Sequence, residues 1–220
     1  MNICLIPARY GSKRLKRKNI KLFYGKPLIE YAIRNAKKSK LFDKIIVSTD
    51  SKIIAKISKK YGADIPFMRP KKISDDKSTD EDVRNHFYKY CKKNNIFPQY
   101  ICYLYATTPL LKPITLIKSF NFFKRKKKFR ELTTITKRES YNSSFFIRNR
   151  NGEIKKIKNY KAYDSQIFFD AGQFYWINFK SKNNKILGYE LNINECIDIN
   201  DLKDFHKAKK MYISGLKKKI

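Results

Sequence analysis

The chain has 220 residues, 42% of them hydrophobic, enough for one domain of ordinary size with a buried core. Its formal net charge is +32, from 51 Lys and Arg against 19 Asp and Glu. Seven Gly and seven Pro exclude a fibrous or low-complexity chain, and no apolar run is long enough to span a membrane.

The charge has two readings. Clustered Lys and Arg would release counterions from nucleic-acid phosphates. Alternatively, Lys is abundant together with Ile, Asn, Phe and Tyr because A/T-rich codons inflate all five. The second reading is preferred, because the cations are spread along the whole chain. The clusters at 124–128 and 217–219 fall at a helix end and at the chain end. A basic surface favours anionic substrates in either case. Cys4, Cys91, Cys102 and Cys196 lie far apart in apolar or amphipathic stretches, where Cys behaves as a small hydrophobe. A disulfide framework or zinc site is not expected. The N-terminal apolar run is too short for a signal peptide. Together these point to a reduced, cytoplasmic protein.

In chain order, Ile3–Ile6 reads as a buried strand, followed by a basic loop from Pro7 to about Lys18. Pro27 opens an amphipathic helix whose Leu28, Ile29, Ile33 and Ala36 face a core. Lys44–Ser48 is the next strand, and a helix over Lys52–Lys60 is stopped by Gly62. Asp64–Phe67 is expected as a short third strand, with a polar loop over Arg69–Ser78 and a helix from about Glu81 to Lys93. Tyr100–Leu104 is another buried strand, and Ile114–Arg125 a fourth helix. This alternation predicts β-α-β units and a mostly parallel, doubly wound α/β sheet. Beyond residue 131 the pattern changes to strands near 132–136, 144–148 and 173–179, with Asn151-Gly152 as a hairpin turn. A helix closes the chain from about Asp201. The whole chain is expected as one domain, with a small β-rich insertion near 131–190.

In such sheets ligands bind beyond the carboxyl ends of the strands. The first of those ends carries Pro7-Ala8-Arg9-Tyr10-Gly11-Ser12-Lys13-Arg14-Leu15-Lys16-Arg17-Lys18-Asn19. Arg9 can grip phosphate oxygens in a bidentate way, and Lys13 and Lys18 can serve as point charges. Gly11 lets the backbone come close, with Ser12 beside it, and Asn19 offers a donor and an acceptor to a base edge. A solvated basic loop would look similar. The segment matches neither the P-loop nor the dinucleotide fingerprint.

The spacing P-A-R-x-G-S-K-R-x-x-x-K-N resembles the CMP-sugar synthetases, which activate sialic acids and their bacterial relatives. Phe42–Asp50, Arg69-Pro70 with Asp75-Asp76, and Tyr105-Ala106-Thr107-Thr108-Pro109-Leu110 agree in order and spacing. Asp170-Ala171-Gly172-Gln173-Phe174-Tyr175-Trp176 looks like the corresponding segment of the pseudaminic acid branch, although a buried strand would also explain its rings.

The resemblance implies the Rossmann-like nucleotide-diphospho-sugar transferase fold. It implies that Arg9, Gly11, Ser12, Lys13 and Lys18 hold the phosphates of CTP. Asn19, Arg69 and Ser78 (or Thr79) would lie near the cytosine, and Thr107, Thr108, Gln173 and Tyr175 near the sugar. Asp198 would bind Mg2+ with Asn200, and Arg9, Lys18 and Asp198 would be catalytic. A homodimer exchanging the region near 131–180 is implied as well. Three positions depart from the family pattern: Tyr10 for Gly, Lys16 for Pro, and Asn200 for the second Asp of Asp-Ile-Asp. Asn200 brings no charge to a hard cation, and Asp198–Asp201 would also suit a helix cap.

The reaction implied is attack of a sugar's anomeric hydroxyl on the α-phosphorus of CTP, with pyrophosphate leaving. Alternatives are the same chemistry on sialic, legionaminic or 3-deoxy-octulosonic acid, a transferase inactivated through Asn200, and a non-catalytic basic nucleic-acid binder. No general base is evident; His86 and His206 are expected in packing or surface roles.

Overall fold

The structure, a computed structural model, describes residues 1–137, 144–158 and 167–217. The strands are β1 (Asn2–Pro7), β2 (Leu22–Phe23), β3 (Lys26–Pro27), β4 (Lys44–Ser48), β5 (Tyr100–Leu104), β6 (Glu131–Thr136), β7 (Phe145–Arg148), β8 (Ile154–Ile157), β9 (Ile167–Asn178) and β10 (Ile186–Glu190). The α-helices are α1 (Leu28–Ser39), α2 (Lys52–Lys60), α3 (Asp80–Lys93), α4 (Pro113–Arg125) and α5 (Leu202–Lys217).

The main sheet runs β10-β6-β9-β5-β1-β4. Within it β9 is antiparallel to both neighbours and the other five strands share one direction, so the sheet is mostly parallel. Alternate residues face opposite layers. Cys4, Ile6, Ile45, Val47, Cys102, Leu104 and Trp176 pack with Ile29, Ile33, Leu116 and Phe120 of α1 and α4. Ile3, Leu5, Ile46, Ile101, Tyr103 and Ile177 pack on the other side with Val83, Phe87 and Cys91 of α3. All four cysteines are buried, and none is in a disulfide among the described residues.

The chain leaves β1 to reach β4 on one side and β5 on the other, so the sheet changes winding direction between β1 and β5. That is where a crevice opens beyond the carboxyl ends of parallel strands. Because β9 is reversed, its amino-terminal half, with Asp170 and Gly172, lies at this same edge: Tyr105 N–H donates to the Gln173 carbonyl at 3.0 Å.

Several expectations change. Asp64–Phe67 is no strand; Asp64 forms a single parallel bridge to Ile46, and Pro66 cannot donate to extend it. β8 and β10 were not anticipated, nor was the small β2–β3 hairpin. β9 begins earlier than residue 173. The hairpin turn at Asn151-Gly152 does join β7 to β8, with Gly152 at φ 83° and its N–H on the Asn149 carbonyl. The Lys cluster at 217–219 falls largely outside the described residues.

Candidate functional site

Three cavities share walls at the crevice, and Lys18 lines all of them.

The first, about 340 Å³, is formed by the basic loop after β1: Arg9, Gly11, Ser12, Lys13, Arg14, Lys18 and Asn19, closed by Asp76 and Asn200. The loop is held at its ends. Tyr10 N–H donates to Asp50 Oδ1 (2.9 Å), the Asn19 amide donates to the Arg9 carbonyl (2.9 Å), and Leu15 is buried against Phe23 and Ile197. Tyr10 does not line the cavity; its ring packs on the core beneath the Arg17 guanidinium. Gly11 is not sterically required, since an added Cβ would meet only the Arg9 guanidinium at 3.9 Å. Lys16 is exposed.

The second, about 150 Å³, is lined by Pro7, Arg9, Asn19, Arg69, Ser78, Thr79, Asp80, Tyr103, Tyr105 and Thr107 among others. Arg69 is 5% exposed, yet its Nε and Nη2 have no partner among the described residues. Burial lowers its pKa, offset by Tyr103 and Asp50. A buried guanidinium with idle donors is costly unless something else accepts from it. Ser78 donates to Asp75 Oδ1 at 2.7 Å, and Thr79 caps α3 in a capping box with Asp82.

The third, about 300 Å³, is lined by Lys18, Asp80, Tyr105, Thr107, Ser144, Asp170, Gly172, Tyr175, Asp198 and Asn200. Tyr103 and Tyr105 both donate to Asp80. Tyr175 donates to Asp170 Oδ2 at 2.8 Å, and Gly172 N–H to Asp170 Oδ1 at 2.9 Å. Burial pushes the Asp170 carboxyl up to about 6 despite these donors. Burial also raises Asp198, opposed by Lys18, while Lys18 is lowered by its own burial.

Thr107 and Tyr175 therefore face this cavity, whereas Thr108 and Gln173 stand behind its wall. Thr108 is fully buried and donates to the Tyr105 carbonyl. Gln173 is 1% exposed, and its amide nitrogen is shared among the carbonyls of Ala171, Gly172 and Ile197. It ties β9 to the segment carrying Asp198.

Asn200 Nδ2 donates to Asp198 Oδ2 at 2.6 Å, and its Oδ1 accepts from Arg14 at 3.2 Å. Arg14 can only donate and an ionised Asp198 can only accept, so this amide orientation is dictated by its neighbours. Asn200 thus meets Asp198 through its amide nitrogen, with its oxygen engaged by Arg14. Asp201 caps α5, accepting from Asp204 N–H at 2.9 Å, and Asp198 faces the cavity; the cap and the site coexist. No group of three or more acidic, His or Cys side chains among the described residues is arranged to hold a metal. His86 packs against Phe67, and His206 is exposed on α5.

Asp76, Asp80, Tyr105 and Asp170 were not anticipated as site residues. Asp80 follows the α3 cap and reads as an ordinary first-turn acid; Asp170 sits inside an aromatic strand. Only the tertiary fold brings them together.

The chain matches the family model described as "Cytidylyltransferase" over residues 3–210. It is 35% identical over 227 residues to "Pseudaminic acid cytidylyltransferase" of Campylobacter jejuni subsp. jejuni serotype O:2, covering 96% of each chain. Its fold is similar to that of "CMP:2-keto-3-deoxy-manno-octonic acid synthetase complexed with CTP", with a TM-score of 0.74 at 14% identity over 97% of this chain and 99% of the other. It is also similar to 4-diphosphocytidyl-2C-methyl-D-erythritol synthase from Anaerococcus prevotii, with a TM-score of 0.62 at 15% identity over 97% and 98%. A β1 loop of clustered cations, a sheet that switches direction beside it, and a family match over nearly the whole length agree: the chain belongs to the cytidylyltransferase family.

Proposed function

We propose that the protein transfers the CMP group of CTP to the anomeric hydroxyl of pseudaminic acid, releasing pyrophosphate. The observation that carries this reading is the meeting of three chemically distinct cavities at Lys18. One is cationic, one is lined by a buried arginine with idle donors, and one is polar. A triphosphate suits the first and a base the second, and the carboxylates, tyrosines and Thr107 of the third suit the hydroxyl groups of a sugar. The kinship with the Campylobacter enzyme supports the choice of sugar.

Arg9, Lys13 and Lys18, with the backbone of Gly11 and Ser12, receive the phosphates. Arg69 donates to the two acceptor atoms of cytosine, with Asn19 and Ser78 beside it. Thr107 and Tyr175 contact the sugar, with Thr108 and Gln173 bracing their wall. The sugar oxygen forms a bond to the α-phosphorus as the bond to pyrophosphate breaks, and the hydroxyl proton is released. Lys18 neutralises charge at the junction, and Arg9 positions the phosphates in line.

The donor set fits a magnesium ion of the kind held by one or two carboxylates and the substrate's own phosphates. Asp198 would hold it, with Asn200 fixing the carboxylate; such an ion would neutralise phosphate charge. The 220 residues are read as one domain, with the insertion near 131–190 serving dimerisation and sugar binding in a homodimer. The β7–β8 hairpin, which leaves Ile147 exposed, supports that reading. A cytoplasmic location is supported by four buried cysteines that form no disulfide among the described residues.

The test is pyrophosphate release from CTP and Mg2+ with pseudaminic acid and N-acetylneuraminic acid in parallel. Release with pseudaminic acid alone is expected. Release with N-acetylneuraminic acid alone would keep the reaction class and sink the sugar assignment.

A further inference from the structure

Asp76 lies in the loop ahead of α3 and reaches into the first cavity. Its Oδ1 is 2.7 Å from Arg9 Nη2, and its Oδ2 is 2.8 Å from Lys13 Nζ. One carboxylate thus joins a guanidinium and an ammonium of the β1 loop, with oxygens spaced much like two oxygens of a phosphate. The loop presents it in a set position: Asp75 Oδ1 accepts from the N–H groups of Lys77 and Ser78 and from the Ser78 hydroxyl. Hydrogen bonds from Lys13 and Arg9 hold the Asp76 carboxyl below the usual aspartate range, so it is charged near neutral pH.

We propose that Asp76 is an internal stand-in for a nucleotide phosphate, keeping Arg9 and Lys13 in place while the cradle is empty and giving way when a polyphosphate enters. The proposal rests on the reading of this cavity as the triphosphate site. The energetics favour the exchange. Asp76 and Arg9 are 39% and 33% exposed and Lys13 85%, so each pair is weak. A polyphosphate brings several charges and bidentate contacts to the same cations. An Asp76 left in place would repel it. Displacement would move the segment that also carries Ser78 and Thr79 on the wall beside Arg69, so arrival of phosphate is felt where the base sits.

The experiment is calorimetric titration of inorganic pyrophosphate into wild type, Asp76→Asn and Asp76→Ala, with EDTA and with magnesium. Melting curves confirm that the variants fold. Both should bind about 3- to 30-fold more tightly than wild type in both conditions. Unchanged binding overturns the proposal. Weaker binding in both conditions also overturns it, because Asp76 would then support Arg9 in the bound state. Weakening with magnesium alone would make Asp76 a ligand of the metal, and overturns it as well. Arg9→Ala, measured alongside, separates the two claims. If it loses pyrophosphate while the Asp76 variants show no gain, the cradle stands and the stand-in falls. If it binds like wild type, both fall.

Discussion

Lys18 Nζ donates to the carbonyl oxygen of Ile199 at 2.6 Å, so a cation of the basic loop after β1 is tethered to the segment that carries Asp198. The two stretches are 181 residues apart in sequence. This contact sets the basic loop against the acidic wall of the third cavity, and Lys18 is held there partly desolvated.

Arg69 sits buried with idle donors, a cost that the base of the proposed nucleotide would relieve. Arg69→Met should therefore raise the melting temperature without nucleotide and lose most of the stabilisation that CTP confers. The KM for CTP should rise about 10- to 100-fold. Thermal melts with and without CTP, beside steady-state kinetics, read both effects. A variant less stable when empty, with normal KM, would contradict this role.

Asn200→Asp places a second carboxylate beside Asp198, where the amide nitrogen now lies 2.6 Å from Asp198 Oδ2. Without metal the like charges repel, and the variant should melt lower than wild type. With millimolar magnesium it should recover, giving a larger metal-dependent shift than wild type shows. Equal shifts in the two proteins would mean that position 200 does not face the ion.

Asp170 is raised to about 6, so the fold prefers its neutral form. That preference stabilises the protein fully below the unfolded aspartate value near 4 and is lost as pH rises through about 6. A shift of this size corresponds to about 3 kcal/mol. Asp170→Asn stays neutral throughout, so its stability relative to wild type should improve as pH rises from 4 to 7. Urea titrations across that range would show it; parallel pH profiles would contradict it.

Gly172 has φ 57°, and a Cβ there would lie 3.0 Å from Asp198 Cγ. Gly172→Ala should cost about 1–2 kcal/mol of stability and displace Asp198. Turnover should fall about 10-fold, a reduction that wild-type kinetics in the variant would refute.

Much of the fold was legible because its signals are local. β4, α2 and β5 are apolar runs or amphipathic windows with clear ends, and they fall where expected. β10 was missed because its ILGYE run is brief, follows a polar stretch, and is completed only by parallel pairing to β6. At the site, the β1 loop stands out through its resemblance to the CMP-sugar synthetases, since by chemistry alone a solvated basic loop would look similar. The acidic wall does not, because Asp80 and Asp170 look like a helix cap neighbour and a strand residue until β9 reverses beside β5. At Gln173, a polar residue among aromatics, three carbonyls of the fold accept from the amide nitrogen, while the buried Oε1 has no partner among the described residues.

The most direct test of the account is a 31P NMR time course of CTP, magnesium and pseudaminic acid with wild type and with Lys18→Met. Wild type should convert the three CTP signals into one phosphodiester signal and pyrophosphate. Lys18→Met, folded by its melting curve, should do so at least about 100-fold more slowly. CTP left intact by wild type, or turned over at the wild-type rate by Lys18→Met, would contradict the account.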